Sequence, residues 1–253
     1  MDRKESNIIT IASPKGGVGK TTLTILFSYI LKDLSKKVLL IDLDPQNSLS
    51  SYFSKYIFNI DKCNSYSLLK KDVYFGQCIN KINDFISIIP SHPILENFNS
   101  EILNYKDLLL ENILNRNISN YNFDYILLDT PPNLGFILKN SLNVTEYIII
   151  PVQVERFSVE SLSILMQTIN DVRDFRNKNF NISIIENQFI KNRNTFKDVE
   201  ELLYKEYSFY IKGKIHYYNS VKVLINELLE PSVKEAYYKE IKNTLENIIN
   251  LRF

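Results

Sequence analysis

Ile8-Ile9-Thr10-Ile11-Ala12-Ser13-Pro14-Lys15-Gly16-Gly17-Val18-Gly19-Lys20-Thr21-Thr22 is the stretch that decides how this chain is read. It opens on an apolar, β-branched run, and beyond it Leu23 to Leu31 continue as a second apolar stretch of helical length. The pattern predicts a buried strand, a glycine loop and a helix. Glycine has no Cβ and reaches backbone conformations that other residues avoid. The N–H groups of Gly16, Gly17, Val18 and Gly19 are therefore expected to turn inward around phosphate oxygens. The helix N-terminus adds positive partial charge through Thr21 and Thr22, Lys20 adds a full charge, and Thr21 offers a hydroxyl to a magnesium ion. A nucleoside triphosphate site is expected here.

The loop departs from the strict phosphate-binding form, which opens on a glycine. Here Pro14 holds that position, and Lys15 adds a second lysine ahead of the glycine pair. Two lysines around one loop suit the two tasks of phosphoryl transfer. One holds the ground-state phosphates and the other neutralises charge on the group in transit.

Composition bounds the remaining possibilities. A chain of 253 residues, 45% hydrophobic and 23% charged, reads as an ordinary globular protein with room for a large α/β core. A formal net charge of +1 gives no global attraction to nucleic acid, so any such contact must come from a local patch. Cys63 and Cys78 lack metal-ligand spacing, which argues against a zinc site or a disulfide framework. His92 and His216 lack the partners of catalytic or metal-bound histidines and are read as structural or surface residues. The polar start, Met1 to Ser6, is no signal peptide, and no run is long enough to cross a bilayer. A cytoplasmic protein is expected.

Apolar runs alternate with helical patterns along the chain. Val38 to Asp42, Phe85 to Pro90, Tyr125 to Asp129, Tyr147 to Val152 and Ile182 to Asn187 have the near-continuous β-branched character of strands buried on both faces. The expected fold is α/β, a doubly wound and mostly parallel sheet flanked by helices. No repeat or Gly/Ser/Pro linker interrupts it, so residues 1–253 are read as one domain. From Asn59 to Asn122 the pattern weakens, with a helix expected over Leu103 to Leu114.

Ligands in such a fold sit at the carboxyl ends of the strands. Asp42 and Asp44, separated by Leu43 alone, are expected to point the same way from a strand end toward the phosphates. One would hold the magnesium hydration shell and the other would position the attacking water. Tyr125-Ile126-Leu127-Leu128-Asp129-Thr130-Pro131-Pro132 is an apolar strand closed by an acid, the usual form of a second magnesium-associated carboxylate.

Lys15 to Thr22, Asp42-Leu43-Asp44-Pro45-Gln46 and Asp129-Thr130-Pro131-Pro132-Asn133-Leu134-Gly135 together resemble the deviant-Walker ATPases of the ParA/MinD type. Pro151-Val152-Gln153-Val154-Glu155, with Phe157 and Leu162, is similar to a later segment of that family. The resemblance implies ATP and Mg2+ as ligands and a homodimer closed around two nucleotides. It implies that Lys15 reaches the partner subunit's phosphates, that Lys20 binds its own, and that Thr21 meets the metal. Asp44 then orients the water, Asp129 is the second acid, and Asn187 falls where the family reads adenine. The family commonly has Ile-Pro near the base, where this chain has Ile215-His216.

The wording of Asp44-Pro45-Gln46 and Pro151-Val152-Gln153 is closer to the plasmid- and chromosome-partition branch. That branch hydrolyses ATP slowly, binds DNA nonspecifically, and works with a separate centromere-binding, ParB-like protein. Lys191, Arg193, Lys197, Lys212, Lys214, Lys222, Lys234 and Lys239 are candidate cations for DNA phosphates. No helix-turn-helix segment is expected before the first strand. The alternative is a membrane-associated positioning ATPase of the MinD type. Its membrane helix should be distinctly basic, whereas the amphipathic tail Glu240 to Phe253 mixes Glu240 and Glu246 with Lys242 and Arg252. That tail is expected to pack on the sheet through Ile241, Leu245, Ile248 and Ile249. A third class is a metabolic ATP-dependent ligase or reductase subunit sharing the loop; the reductase type needs cluster-ligating cysteines that Cys63 and Cys78 are poorly placed to supply.

Overall fold

A computed structural model of the chain describes residues 6–156, 158–190 and 197–249. Its centre is a sheet of eight described strands: β1 (Asn7–Ile11), β2 (Val38–Asp42), β3 (Asn80–Lys81), β4 (Ile86–Ile89), β5 (Tyr125–Asp129), β6 (Tyr147–Val152), β7 (Asn181–Phe189) and β8 (Ile211–His216). They lie in the order β3-β4-β2-β5-β1-β6-β7-β8. Only the short edge pair of β3 with β4 is antiparallel. Every residue of β2 and β5 is buried, as expected for strands covered by helices on both faces.

Helix α1 (Lys20–Asp33) follows the glycine loop and is buried from Leu23 to Leu31. It shares one face of the sheet with α2 (Ser48–Tyr52), α8 (Asn219–Asn226) and α9 (Ala236–Ile249). The other face carries α3 (Ser65–Leu69), α4 (Leu109–Asn117), α5 (Phe136–Val144), α6 (Ser158–Arg176) and α7 (Lys197–Tyr207). The stripe Ile241, Leu245, Ile248 and Ile249 of α9 is buried in the cluster around α1 and Ile215, as the sequence pattern predicts for a packed tail. Residues 250–253 lie outside the described residues, as do Phe157, Lys191 and Arg193.

Two elements differ from the sequence reading. The helix expected over Leu103 to Leu114 begins only at Leu109. Tyr105 ahead of it is left-handed, at φ 51°. The buried Lys106 ammonium ties this segment down by donating to the carbonyls of Asn99 and Glu101 at 2.9 and 2.7 Å. Strand β8 escapes the pattern because Lys212, Gly213 and Lys214 interrupt its apolar residues. It lies at the sheet edge, where only one side needs to be apolar.

Because β1 lies between β5 and β6, the loop after β1 opens where the chain's crossovers diverge to the two halves of the sheet. Such a point leaves a crevice at the carboxyl ends of the strands. The ends of β2, β5, β6 and β7 converge on it.

Candidate nucleotide-binding site

The glycine loop adopts the conformation its composition allows. Gly17 and Gly19 have φ of 76° and 96°, in the left-handed region. Among the described residues no side chain caps the first turn of α1, so its N–H groups stay available to an anion. Lys20 is buried, and its ammonium donates to the Lys15 carbonyl at 3.3 Å, folding back over the loop. Burial lowers its pKa, while the charges of Asp129 and Asp44 act in the opposite sense.

Thr21 and Asp129 are brought together across the chain. The Thr21 hydroxyl donates to Asp129 Oδ2 at 2.6 Å. Asp129 is 1% exposed, and its other oxygen, Oδ1, is buried without a hydrogen-bond partner. A buried acceptor with nothing to accept from is costly, and here it lies beside the hydroxyl of the phosphate loop. Burial first, and then the neighbouring charge of Asp42, push the Asp129 carboxyl well above the ordinary range.

Asp42 and Asp44 do not lie on one extended segment as their spacing predicts. The strand ends at Asp42, and the chain then turns through Pro45 to a left-handed Asn47, at φ 46°. Asp42 is fully buried. Its Oδ1 accepts the Asp44 N–H at 3.1 Å, and its Oδ2 accepts the Ser50 N–H at 2.9 Å and the Ser50 hydroxyl at 2.6 Å. These bonds lower its pKa, but burial outweighs them and pushes it up to about 7. Asp44 is half-buried and its Oδ1 accepts the Gln46 N–H at 2.9 Å.

Lys15, at the loop's mouth, forms an ion pair with Glu155, with 35% of the lysine side chain exposed. Asn187 is placed against the loop rather than free at a strand end, donating through Nδ2 to the Val18 carbonyl at 2.7 Å. A Cβ on Gly19 would stand 2.4 Å from that same nitrogen. Asn187 also lines a cavity of about 340 Å³ with Thr22, Leu26, Ile215, Tyr218 and Ile225. The space is mostly apolar and adjoins the first turn of α1, as a purine pocket beside a phosphate cradle requires. His216 borders the same cavity, and its Nδ1 lies 2.7 Å from Glu240 Oε1.

Sequence reasoning missed Ser50, which holds Asp42, and the roles of Glu155, Gln153 and Gln188. Glu155, Gln153 and Gln188 act across 140, 136 and 171 residues, and Ser50 reaches Asp42 only because the chain turns back after β2, so no local pattern marks them. Of the candidate DNA cations, Lys214 is committed to Glu186 and Glu200 at 2.9 and 2.7 Å, and Lys222 lines the cavity.

A family model described as an AAA domain matches residues 6–182. The chain is 36% identical over 178 residues to an uncharacterized protein of Methanocaldococcus jannaschii, a match spanning 66% of each. It is 30% identical over 262 residues to the virulence plasmid ParA family protein of Chlamydia psittaci, covering 97% of this chain and 95% of that one. A Borrelia burgdorferi plasmid partition protein bound to AMPPNP superposes with a TM-score of 0.86 at 34% identity, over 97% of this chain and 99% of that chain.

Fold and cradle thus agree with the relatives on the class, a nucleotide-binding phosphate-loop protein. Within it, the chain belongs to the ParA family of partition ATPases.

Proposed function

We propose that this chain is an ATP-driven switch for plasmid or chromosome segregation. ATP and Mg2+ close a homodimer around two nucleotides, the closed dimer holds DNA without sequence choice on the nucleoid, and slow hydrolysis releases it. A separate ParB-like protein supplies sequence specificity and accelerates hydrolysis. The nucleotide acts by stabilising one of two states, so slow turnover serves the switch.

The observation that carries this reading is the different placement of the two lysines. Lys20 is buried against its own loop, whereas Lys15 stands part-exposed at the mouth, paired with Glu155. A charge held at the rim by one carboxylate is available to a second subunit's phosphates once that pairing is exchanged. The unpartnered Asp129 Oδ1 beside the Thr21 hydroxyl fits a hydrated magnesium ion, which would neutralise phosphate charge there. Asp44, on the turn after β2, is the residue assigned to orient water. Asp42 supports that turn from behind through Ser50 and the Asp44 N–H. The cavity bounded by Asn187 and Ile215 is assigned to the adenosine.

The alternative, a membrane-surface ATPase, needs a free apolar helix face. Helix α9 buries its stripe against α1 and β8, which favours the DNA reading. Sedimentation and DNA binding compared in ATP, ADP and no nucleotide test the switch. Equal DNA binding in all three would remove it.

A further inference from the structure

Three side-chain amides from the ends of β6 and β7 grip the glycine loop from one side. Gln153 Nε2 and Gln188 Nε2 both donate to the Gly17 carbonyl, at 3.3 and 3.2 Å. Asn187 Nδ2 donates to the next carbonyl, that of Val18, at 2.7 Å. A trans peptide holds the C=O of one residue and the N–H of the next on opposite sides of a rigid plane, and no cis peptide occurs among the described residues. Turning the Gly17 carbonyl toward the glutamines therefore turns the Val18 N–H the other way. Turning the Val18 carbonyl toward Asn187 does the same for the Gly19 N–H.

Strand β7 is distorted where it makes these contacts. Successive side chains of a regular strand point to opposite faces, yet Asn187 and Gln188 both reach the loop. Gln188 is left-handed at φ 58°, and the β7–β8 register slips between Glu186 and Phe189. A residue with a Cβ adopts that conformation only when its surroundings compel it, and such departures cluster at functional sites. The irregularity brings Gln188 onto a carbonyl that Gln153 already holds. Gly17 needs such restraint, because a glycine retains more freedom than any other residue until something orders it.

We infer that Gln153 and Gln188 are positioning residues for the triphosphate, forming with Asn187 an amide clamp that aims the Val18 and Gly19 N–H groups into the cradle before nucleotide arrives. The inference rests on the triphosphate reading of that cradle. Loop ordering that would otherwise accompany binding is already complete, which raises affinity for phosphate; Gln188 and Asn187 also line the cavity assigned to adenosine, whereas Gln153 acts on the loop alone. Both glutamines share one acceptor, so either alone retains most of the restraint.

Calorimetric titration of Gln153→Ala, Gln188→Ala and the double variant with magnesium ATP tests the clamp, with adenosine binding followed by ligand-observed NMR. Each single change should weaken ATP about threefold and the double change about thirtyfold or more, beyond the product of the two. Adenosine affinity should stay within about twofold in Gln153→Ala, whose side chain is outside the lining of the adenosine cavity that Gln188 shares. Unchanged ATP affinity in the double variant, or parallel loss of ATP and adenosine in Gln153→Ala, would overturn the clamp. If the double variant fails to fold, Gln153→Glu keeps the size, removes the donor and sets a carboxylate against the Gly17 carbonyl. It should lose ATP and keep adenosine, and equal retention of both would count against the clamp. Wild-type protein that bound adenosine but not ATP would instead sink the triphosphate reading and the clamp with it.

Discussion

Asp42 and Asp129 face each other in register at the carboxyl ends of β2 and β5, both essentially inaccessible to water. Each carboxyl has an ordinary value of 3.8, and in the folded chain burial raises both, that of Asp42 to about 7. Between those values the folded state holds more protons than the unfolded one. The metal-free protein should therefore lose stability as pH rises from about 4 to about 7, and the penalty should vanish below the lower value. Asp129→Asn removes one of the two buried ionisable groups and should raise Tm at pH 8 without magnesium by about 5 °C. The gain should shrink toward pH 4. A variant whose Tm differs from wild type by the same amount at pH 5 and pH 8 would contradict this account.

The lysine pair separates by readout. Lys20→Ala removes the buried ammonium from the cradle and should weaken ATP binding by about a hundredfold or more, the scale of a lost charge-assisted contact. Lys15→Ala removes only the rim charge paired to Glu155. It should bind ATP within about threefold of wild type and fail to dimerise or hydrolyse. Titration calorimetry with analytical ultracentrifugation distinguishes them, and equal loss of ATP affinity in both would refute separate roles.

On the turn after β2, Asp44→Ala leaves the phosphate loop and Lys15 untouched. ATP-dependent dimers should form normally while phosphate release falls by about a hundredfold, the usual scale for a lost base or water-positioning group. DNA should then stay bound through ATP chase experiments. Normal turnover in this variant would transfer the water-positioning role elsewhere.

At Gly19 two costs combine. A side chain there must accept φ 96°, and its Cβ would press on the Asn187 amide at 2.4 Å. Gly19→Ala should destabilise the fold by about 1–2 kcal/mol in urea unfolding. Displacing Asn187 from the Val18 carbonyl should weaken ATP binding as well. Wild-type stability and affinity together would show that the loop relaxes freely.

Lys214 shows what a sequence pattern of cations leaves out. Its ammonium bridges Glu186, which is 1% exposed, and Glu200, and it lies 3.9 Å from the Phe189 ring centroid. Lys214→Ala leaves the buried Glu186 carboxylate without its cation and held by the Tyr204 hydroxyl alone, at 3.3 Å, with an expected loss of about 3 kcal/mol. Lys214→Ala combined with Glu186→Gln should recover much of that loss. If the single change instead lowers DNA affinity at unchanged Tm, Lys214 belongs to the nucleic-acid surface.

Some of this protein could be read along the chain because the chemistry is contiguous there. A phosphate cradle needs its strand, glycines, lysine and helix in immediate succession, so Ile8 to Leu31 declares both the core crossover and the anion site. The strands of the sheet's centre announce themselves because both faces are covered and polar residues are excluded along their length. Asp129, closing such a strand, is legible for the same reason.

Other features depend on which strands become neighbours, and no local pattern carries that information. Asp42 meets Asp129 only because β5 lies beside β2, and Asp42 turns to Ser50 only because the chain bends after the strand. The two glutamines reach Gly17 across 136 and 171 residues. Composition and spacing marked which loop has the make-up of a phosphate cradle. Tertiary packing decided which side chains hold the loop and which carboxylates the lysines meet, because hydrogen bonds and ion pairs follow proximity in space, not order along the chain.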